Sequence, residues 1–270
     1  MQQLISELAR HLPGGVRKAL LGSPSSPARL AKLVHQCLNW LPVERFPVLA
    51  CGGPLEGYRM KVDWHHHRSF IYGDWEAEVV RALEQVVLPG MLAMDIGAHI
   101  GFFTLFLSKL VGPEGRVIAF EPLPENFKIL QENISLNRCH HVRAVNKAIL
   151  DRRGPAEINV PPNDPLPGTV SWLAQEGARP VPVEAISLDE FVEGERLAVD
   201  FIKMDVEGTE ELVLRGAEEV IATHHPLLLI EVHHWSRDRE QHPVKSLLCR
   251  WGYQTRWVNR WEHISHLLAS

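Results

Sequence analysis

From residue 76 onward the chain alternates between helix-period and strand-like segments, and this alternation constrains the fold more than any other feature. "EAEVVRALEQVV" reads as an amphipathic helix ended by Pro-Gly, "MLAMDIG" as a strand, "FFTLFLSKLV" as a helix and "GRVIAFEP" as a strand. The helix "ENFKILQENISLN" and the strand "HVRAVNKAI" follow. Beyond an irregular stretch come the strand "VDFIKMDV", the helix "TEELVLRGAEEVI", the strand "PLLLIEVH", the helix "PVKSLLCRWG" and a final strand "YQTRWV". Such alternation predicts an α/β fold, a doubly wound parallel sheet with helices on both faces. The run "LLLIEV", apolar but for one acid, fits a strand buried on both sides.

Residues 1–45 read as a separate helical N-terminal appendage and residues 46–270 as the main domain. "RLAKLVHQCLNWL" places Leu30, Leu33, Val34, Cys37, Leu38 and Leu41 on one helical face. Basic residues (Arg10, Arg17, Lys18, Arg29, Lys32) outnumber acids there, so this helix is expected either to pack on the main domain or to contact a partner protein or membrane surface. "FPVLACGG" and "YRMKVDW" suggest a hairpin. The Pro- and Gly-rich stretch 151–186 reads as an insertion of the lid type, with "AEINV" set against "VSWLA" as a small hairpin.

A net charge of −5 and a pI near 6.3 argue against a nucleic-acid partner. Cys37, Cys51, Cys139 and Cys249 form no CxxC pair, which favours reduced thiols and a cytoplasmic location. No apolar run reaches the roughly 18–20 residues that a membrane span requires, and "MQQLISELARHL" lacks the pattern of a secretory signal.

The chemistry is carried by "AMDIGAHIGFFT" (93–104), the end of a buried strand followed by an acid, two glycines and an apolar helix. In open α/β sheets ligands sit at the carboxyl ends of strands. Gly97 and Gly101 allow tight turning and close backbone approach. A pyrophosphate site would want G-x-G-x-x-G without an adjacent carboxylate, whereas Asp95 suits a cationic ligand. The next strand ends in Glu121, placed to accept hydrogen bonds from ribose hydroxyls. A cationic group by one acid and a ribose on the other describe S-adenosylmethionine. A helix N-cap would account for Asp95 alone but leave Glu121 unexplained.

From "YGDWEAEVV" to "PLLLIEVHH" the chain resembles the FkbM family of S-adenosylmethionine-dependent methyltransferases, through "DIGAHIGFFT", "VIAFEPLPENFKILQENISLN", "AISLDEFV", "VDFIKMDVEGTEELVLRGAEEVI" and "LLLIEVHH". "DFIKMDVEGTE" followed by "LRGA" is the most specific piece. The resemblance implies a class I methyltransferase fold with a Rossmann-like, mostly parallel seven-stranded sheet, and O-methylation of a hydroxyl on a saccharide or secondary metabolite. It places Asp95, Gly97, Ala98 and Gly101 around the methionine half of the cofactor, Glu121 on the ribose, Asn146 near the adenine and Glu76 over the methionine end. His99 stands where the family commonly carries Asn.

Methyl transfer from a sulfonium needs alignment, exclusion of water and removal of the alcohol proton. "KMDVEG" supplies Lys203, Asp205 and Glu207 at the end of one strand, and Glu231, His233 and His234 end the next. Two mechanisms stay open: Asp205 or His233 as general base, or an Mg²⁺ ion held by some of Asp205, Glu207, Glu231 and His233. A merely structural reading has Asp205 and Glu207 capping the following helix and holding Lys203. "HHHR" (65–68) is read as an extended segment whose histidines point alternately and cannot share one ion. A nicotinamide-dependent oxidoreductase and a non-catalytic binding module are the competing functions. The first lacks the third glycine and a Tyr-x-x-x-Lys pair, and the second leaves "KMDVEG" and "IEVHH" without a purpose.

Overall fold

The computed structural model describes residues 47–161, 177–234, 238–261 and 263–270, with the backbone only of Trp64 and His65. The N-terminal appendage with its basic helix, and "VSWLA", lie outside the described residues. A short antiparallel pair, β1 (Val48–Leu49) and β2 (Arg59–Met60), precedes α1 (Trp64–Tyr72) and α2 (Ala77–Val86). Then come β3 (Leu92–Ile96), α3 (Phe102–Val111), β4 (Arg116–Phe120), α4 (Pro124–Leu136) and β5 (Val142–Val145). The insertion contributes β6 (Ala148–Leu150), β7 (Gly154–Val160) and β8 (Arg179–Ser187). The chain closes with α5 (Leu188–Glu195), β9 (Phe201–Met204), α6 (Glu210–Arg215), α7 (Glu218–His224), β10 (Leu227–His233), α8 (Pro243–Arg250), β11 (Thr255–Trp257) and β12 (Ile264–Ala269).

The central sheet has seven strands in the order β11–β12–β10–β9–β3–β4–β5. The pairs from β10 to β5 are parallel, while β12 runs antiparallel to both β10 and β11. Strand order reverses between β3 and β9, which opens a crevice at their carboxyl ends. This is the seven-stranded class I methyltransferase architecture that the resemblance implies.

Side chains of a strand alternate between faces, and the register carries that alternation across the sheet. Ala93, Val117, Phe201, Leu229 and Leu268 pack on one face against Val79, Leu83, Phe103 and Phe106 of α2 and α3. Met94, Ile96, Ile118, Ile202, Met204 and Ile230 pack on the other against Phe191, Val213, Val220 and Leu248. Burial of a side chain such as Phe106 or Phe201 stabilises by roughly 1.5–3 kcal/mol, so these two apolar layers hold the sheet. One step along the same alternation, Asp95, Lys203, Glu231, His233 and His266 all fall on the α2/α3 face: Asp95 pairs with Lys203, Lys203 with Leu229, and Glu231 with His266.

Several expectations are corrected. "HVRAVNKAI" is two strands, not one. It breaks at Asn146–Lys147, and β6 leaves for a second sheet of order β6–β8–β7. There "AEINV" pairs antiparallel with Arg179–Ser187. "TEELVLRGAEEVI" breaks into α6 and α7 at Gly216, where a Cβ would sit 2.1 Å from the Leu150 carbonyl oxygen. "YQTRWV" is not the last strand; β12 follows and inserts between β11 and β10. "HHHR" lies in helix α1 with a kink at His67, and the overlooked signal is Asp63, whose Oδ1 accepts from the His66 N–H at 3.3 Å.

Candidate active site

The turn after β3 is shaped by the protein's own backbone. Gly97 has φ +83°, and a Cβ there would lie 1.7 Å from the Asp205 carbonyl oxygen. The side of Gly97 that a Cβ would fill is thus closed by the turn after β9. Asp205 N–H in turn donates to the Ile96 carbonyl at 2.9 Å. The N–H groups of Gly97 and Ala98 both donate to the Phe120 carbonyl, at 3.0 and 2.9 Å, tying this turn to the end of β4. Gly101, at φ +97°, lets α3 pack on Leu130, whose Cδ1 would be 2.7 Å from a Cβ.

Asp95 is wholly buried. Its Oδ2 accepts from the Thr104 hydroxyl at 2.6 Å, and its Oδ1 lies 4.0 Å from Lys203 Nζ. Burial raises its carboxyl above the ordinary carboxylate range, with Lys203 acting in the opposite direction. Lys203 is buried too. Its ammonium lies 3.2 Å from Asp205 Oδ2 and 4.7 Å from the centre of the Phe103 ring. Burial works against its charge, but Asp205 and Asp95 together outweigh that and hold it protonated, well above its ordinary value. Burial acts against the Asp205 charge as well, yet Lys203, His233 and His266 keep its carboxyl below the usual range.

Glu121 is buried at the end of β4. Its Oε2 accepts from His99 N–H at 2.8 Å, and its Oε1 from Leu123 N–H at 2.9 Å and the Asn126 amide at 3.4 Å. Burial pushes it up to about 7 against the pull of those donors. Asn146 donates to the carbonyls of Glu121 and Pro122, at 2.8 and 2.9 Å, so it fixes the backbone around Glu121.

Beyond β9 the chain turns sharply through Glu207 (φ 52°) and Gly208 (φ +100°). This turn brings Glu207 to His233. The His233 Nε2 lies 3.2 Å from Glu207 Oε2 and 3.4 Å from Glu231 Oε1, while Nδ1 bonds Glu210 Oε1 at 2.7 Å. Burial disfavours the imidazolium, but Glu207 and Glu210 drive it up to about 11. Glu231 is pushed up to about 7, first by burial and then by Asp205. His234 is buried and meets the Ser265 hydroxyl at 3.2 Å instead.

Glu76, in the left-handed region at φ 42°, turns inward to within 3.2 Å of His266 Nε2. The same nitrogen lies 2.9 Å from Glu231 Oε2. The donor groupings that form are Glu76–Glu231–His266 and Asp205–Glu231–His233; the second is drawn from the four residues that the sequence offered for a cation, and Glu207 belongs to neither. Thr104, Glu210, Asn259 and His266 were missed by the sequence reading. A lone histidine within the apolar "ISHLLA" and a second acid after "VEG" were the available signals.

No helix among the described residues is long and apolar enough to cross a membrane. The model of the methyltransferase FkbM domain matches residues 95–255. Methyltransferase sdnD of Sordaria araneosa is 28% identical over 158 residues, 47% of this chain and 60% of that protein. Methyltransferase 1 of Beauveria bassiana is 28% identical over 148 residues, 47% of this chain and 58% of that protein. The chain thus spans less than two thirds of the length of these curated relatives. The crystal structure of the FkbM methyltransferase from Methylobacillus flagellatus KT aligns with a TM-score of 0.49 at 18% identity, covering 99% of this chain and 58% of that one. With the family model matching well over half of the sequence, the chain belongs to the FkbM family of S-adenosylmethionine-dependent methyltransferases.

Proposed function

We propose that the chain transfers a methyl group from S-adenosylmethionine to a neutral hydroxyl of a small molecule or glycan, with Asp205 as general base. The observation that carries this reading is the state of Asp205. Its side chain is 26% exposed beside buried groups, and Lys203 keeps it ionised at 3.2 Å. His233, the other candidate base, is clamped among carboxylates that keep it protonated up to about 11, so it has no lone pair to offer at neutral pH. As the new C–O bond forms the hydroxyl becomes strongly acidic, and even a weak carboxylate base then accepts its proton.

The residues fit the cofactor. Asp95 Oδ1 is a buried oxygen without a hydrogen-bond partner among the described residues. The carboxylates of Asp95, Asp205, Glu207, Glu210, Glu231 and Glu76 outnumber the cations Lys203, His233 and His266 around them. Such an excess favours a cationic ligand and repels an anionic acceptor. When bound, S-adenosylmethionine supplies a methyl group already activated on a sulfonium. Asp95, Gly97, Ala98 and Gly101 would hold its methionine half, Glu121 the ribose and Asn146 the adenine side. Lys203 positions Asp205 and does not meet the acceptor. Asp205→Asn is expected to lower kcat by about 10²–10⁴-fold, read as S-adenosylhomocysteine release with a panel of hydroxylated acceptors. Unchanged turnover, or methylation of amines alone in parallel assays, would overturn the assignment.

A second expectation concerns pH. Glu121 is raised to about 7 in the folded protein from 4.5. Its contribution to stability is therefore full below 4.5 and is lost as pH rises through about 7. The ionised carboxylate accepts a ribose hydroxyl more strongly than the neutral acid does, so S-adenosylhomocysteine should bind more tightly at pH 8 than at pH 6, by about three- to tenfold. Glu121→Ala should weaken binding by at least ~1.5 kcal/mol and remove this dependence. Calorimetry at the two pH values checks both, and an affinity that Glu121→Ala leaves unchanged refutes the ribose contact.

A further inference from the structure

His266 is a buried polar side chain to which the methyl-transfer reading gives no chemical step. It sits on β12 directly opposite Glu231, with no solvent exposure. Its Nε2 faces Glu231 Oε2 at 2.9 Å and Glu76 Oε2 at 3.2 Å. Yet neither His266 Nε2 nor Glu76 Oε2 makes an aligned hydrogen bond to any described residue, although the Glu76 side chain is only 8% exposed. One N–H can point at one acceptor; here a single ring nitrogen confronts two carboxylates. A cation at the centre of the three atoms would satisfy all of them.

We propose that Glu76, Glu231 and His266 form a binding site for a divalent first-row transition cation of the Mn²⁺ or Zn²⁺ class. The spacing supports this. Ligand atoms about 2.0–2.2 Å from a metal lie roughly 2.8–3.1 Å apart along octahedron edges and roughly 3.3–3.6 Å along tetrahedron edges, and the 2.9 and 3.2 Å separations lie within about 0.1 Å of the octahedral spacing. The donor set supports the class: imidazole with two carboxylates suits Mn²⁺ or Zn²⁺, whereas Mg²⁺ prefers oxygen ligands and retained water. The surroundings supply the orienting contact that metal-bound histidines need. Asn259 Oδ1 accepts the His266 backbone N–H at 2.8 Å, and the amide's Nδ2 and Oδ1 lie 3.0 and 3.3 Å from His266 Nδ1, which holds the ring in place. With the amide oxygen taking the Nδ1 proton the Nε2 lone pair is left for the ion, whereas with the amide nitrogen donating to Nδ1 the proton stays on Nε2, and the metal titration separates the two. The second oxygen of Glu231, Oε1, faces His233 at 3.4 Å, so the carboxylate links the cation site to the row that carries Asp205. The alternative occupant is a proton on His266, which would make the cluster an ion-pair network.

The test uses the whole chain, stripped with a chelator and titrated with Mn²⁺ and separately with Zn²⁺ and Mg²⁺. One equivalent of Mn²⁺ is expected to bind, with ¹⁴N coupling from a directly bound imidazole in pulsed electron paramagnetic resonance. Mg²⁺ should compete at least about 30-fold more weakly. His266→Gln should abolish the nitrogen coupling, and Asn259→Ala, which retains all three ligands, should weaken Mn²⁺ by about 10–100-fold. His233→Gln should keep the coupling. If the wild-type chain binds neither Mn²⁺ nor Zn²⁺, the proton is the occupant and the proposal is overturned. Binding without ¹⁴N coupling, or coupling lost in His233→Gln but kept in His266→Gln, overturns it as well. Because every readout is metal binding in the absence of acceptor, failure here is separable from failure of the methyl-transfer reading.

Discussion

Replacing Lys203 by methionine is expected to lower the free energy of unfolding by about 3–5 kcal/mol at neutral pH, the cost of removing one partner from a buried charge group. Methionine nearly matches the volume of the lysine stem, so packing against Phe103 is largely kept and the loss is electrostatic. Asp95 and Asp205 would be left facing each other's charge across the β3–β9 junction, where Lys203 Nζ now lies 4.0 and 3.2 Å from them. The sign of the pH dependence separates this cause from a packing defect. Without the ammonium, both carboxyl groups are easier to protonate in the fold than in the unfolded chain, so the variant's deficit shrinks as pH falls and grows as it rises. Chemical denaturation at pH 5 and pH 8 reads both terms. A deficit equal at the two pH values would show that Lys203 matters for packing alone.

Gly97→Ala should be as severe for a different reason. The position holds φ +83°, which costs an L-residue about 1–2 kcal/mol, and the new methyl would stand 1.7 Å from the Asp205 carbonyl oxygen. That oxygen cannot yield cheaply. Asp205 N–H is bonded to Ile96 at 2.9 Å, and the strands on either side are in parallel register from Ala93 to Ile96. Relief requires the β3–β9 pair to part at the crevice, so the loss should exceed about 4 kcal/mol and abolish cofactor binding in whatever protein remains folded. Gly208→Ala is the internal comparison. It has φ +100° but open space where the Cβ would go, so only the conformational cost of about 1–2 kcal/mol applies. Equal effects at the two glycines would remove the backbone collision as the cause.

These two positions also show what the sequence could and could not disclose. The strands β3, β4, β5, β9 and β10 and the helices α2, α3 and α4 were legible because each buries a periodic apolar face against its neighbours, and that period is local. The acids and basic groups at strand ends were legible too: Asp95, Glu121, Lys203, Asp205, Glu231 and His233 each follow or end an apolar run, where an α/β sheet keeps its ligands. Which of them meet was not legible. Lys203 opposes Asp95 only through the parallel register of β3 and β9. The backbone that crowds Gly97 comes from a residue more than a hundred positions away. His266 stayed hidden because β12 was hidden. "EHISHLLAS" mixes polar and apolar residues, and its antiparallel insertion between β10 and β11 depends on pairing that no local period announces. Glu210 was read only as part of the helix "TEELVLRGAEEVI", yet it is buried beneath His233, where its Oε1 also accepts from Gly208 N–H at 3.0 Å. The "HHHR" segment was misassigned because three consecutive histidines carry no period; Asp63 ahead of them carried the helix signal.

The central claim is that the crevice at the carboxyl ends of β3, β4 and β9 takes S-adenosylmethionine and no nicotinamide dinucleotide. The most direct test is calorimetric titration of the purified chain with S-adenosylhomocysteine, NAD and NADP in parallel. Saturable one-site binding of S-adenosylhomocysteine alone is the predicted result. Binding of either dinucleotide in its place, or of none of the three, would contradict the account.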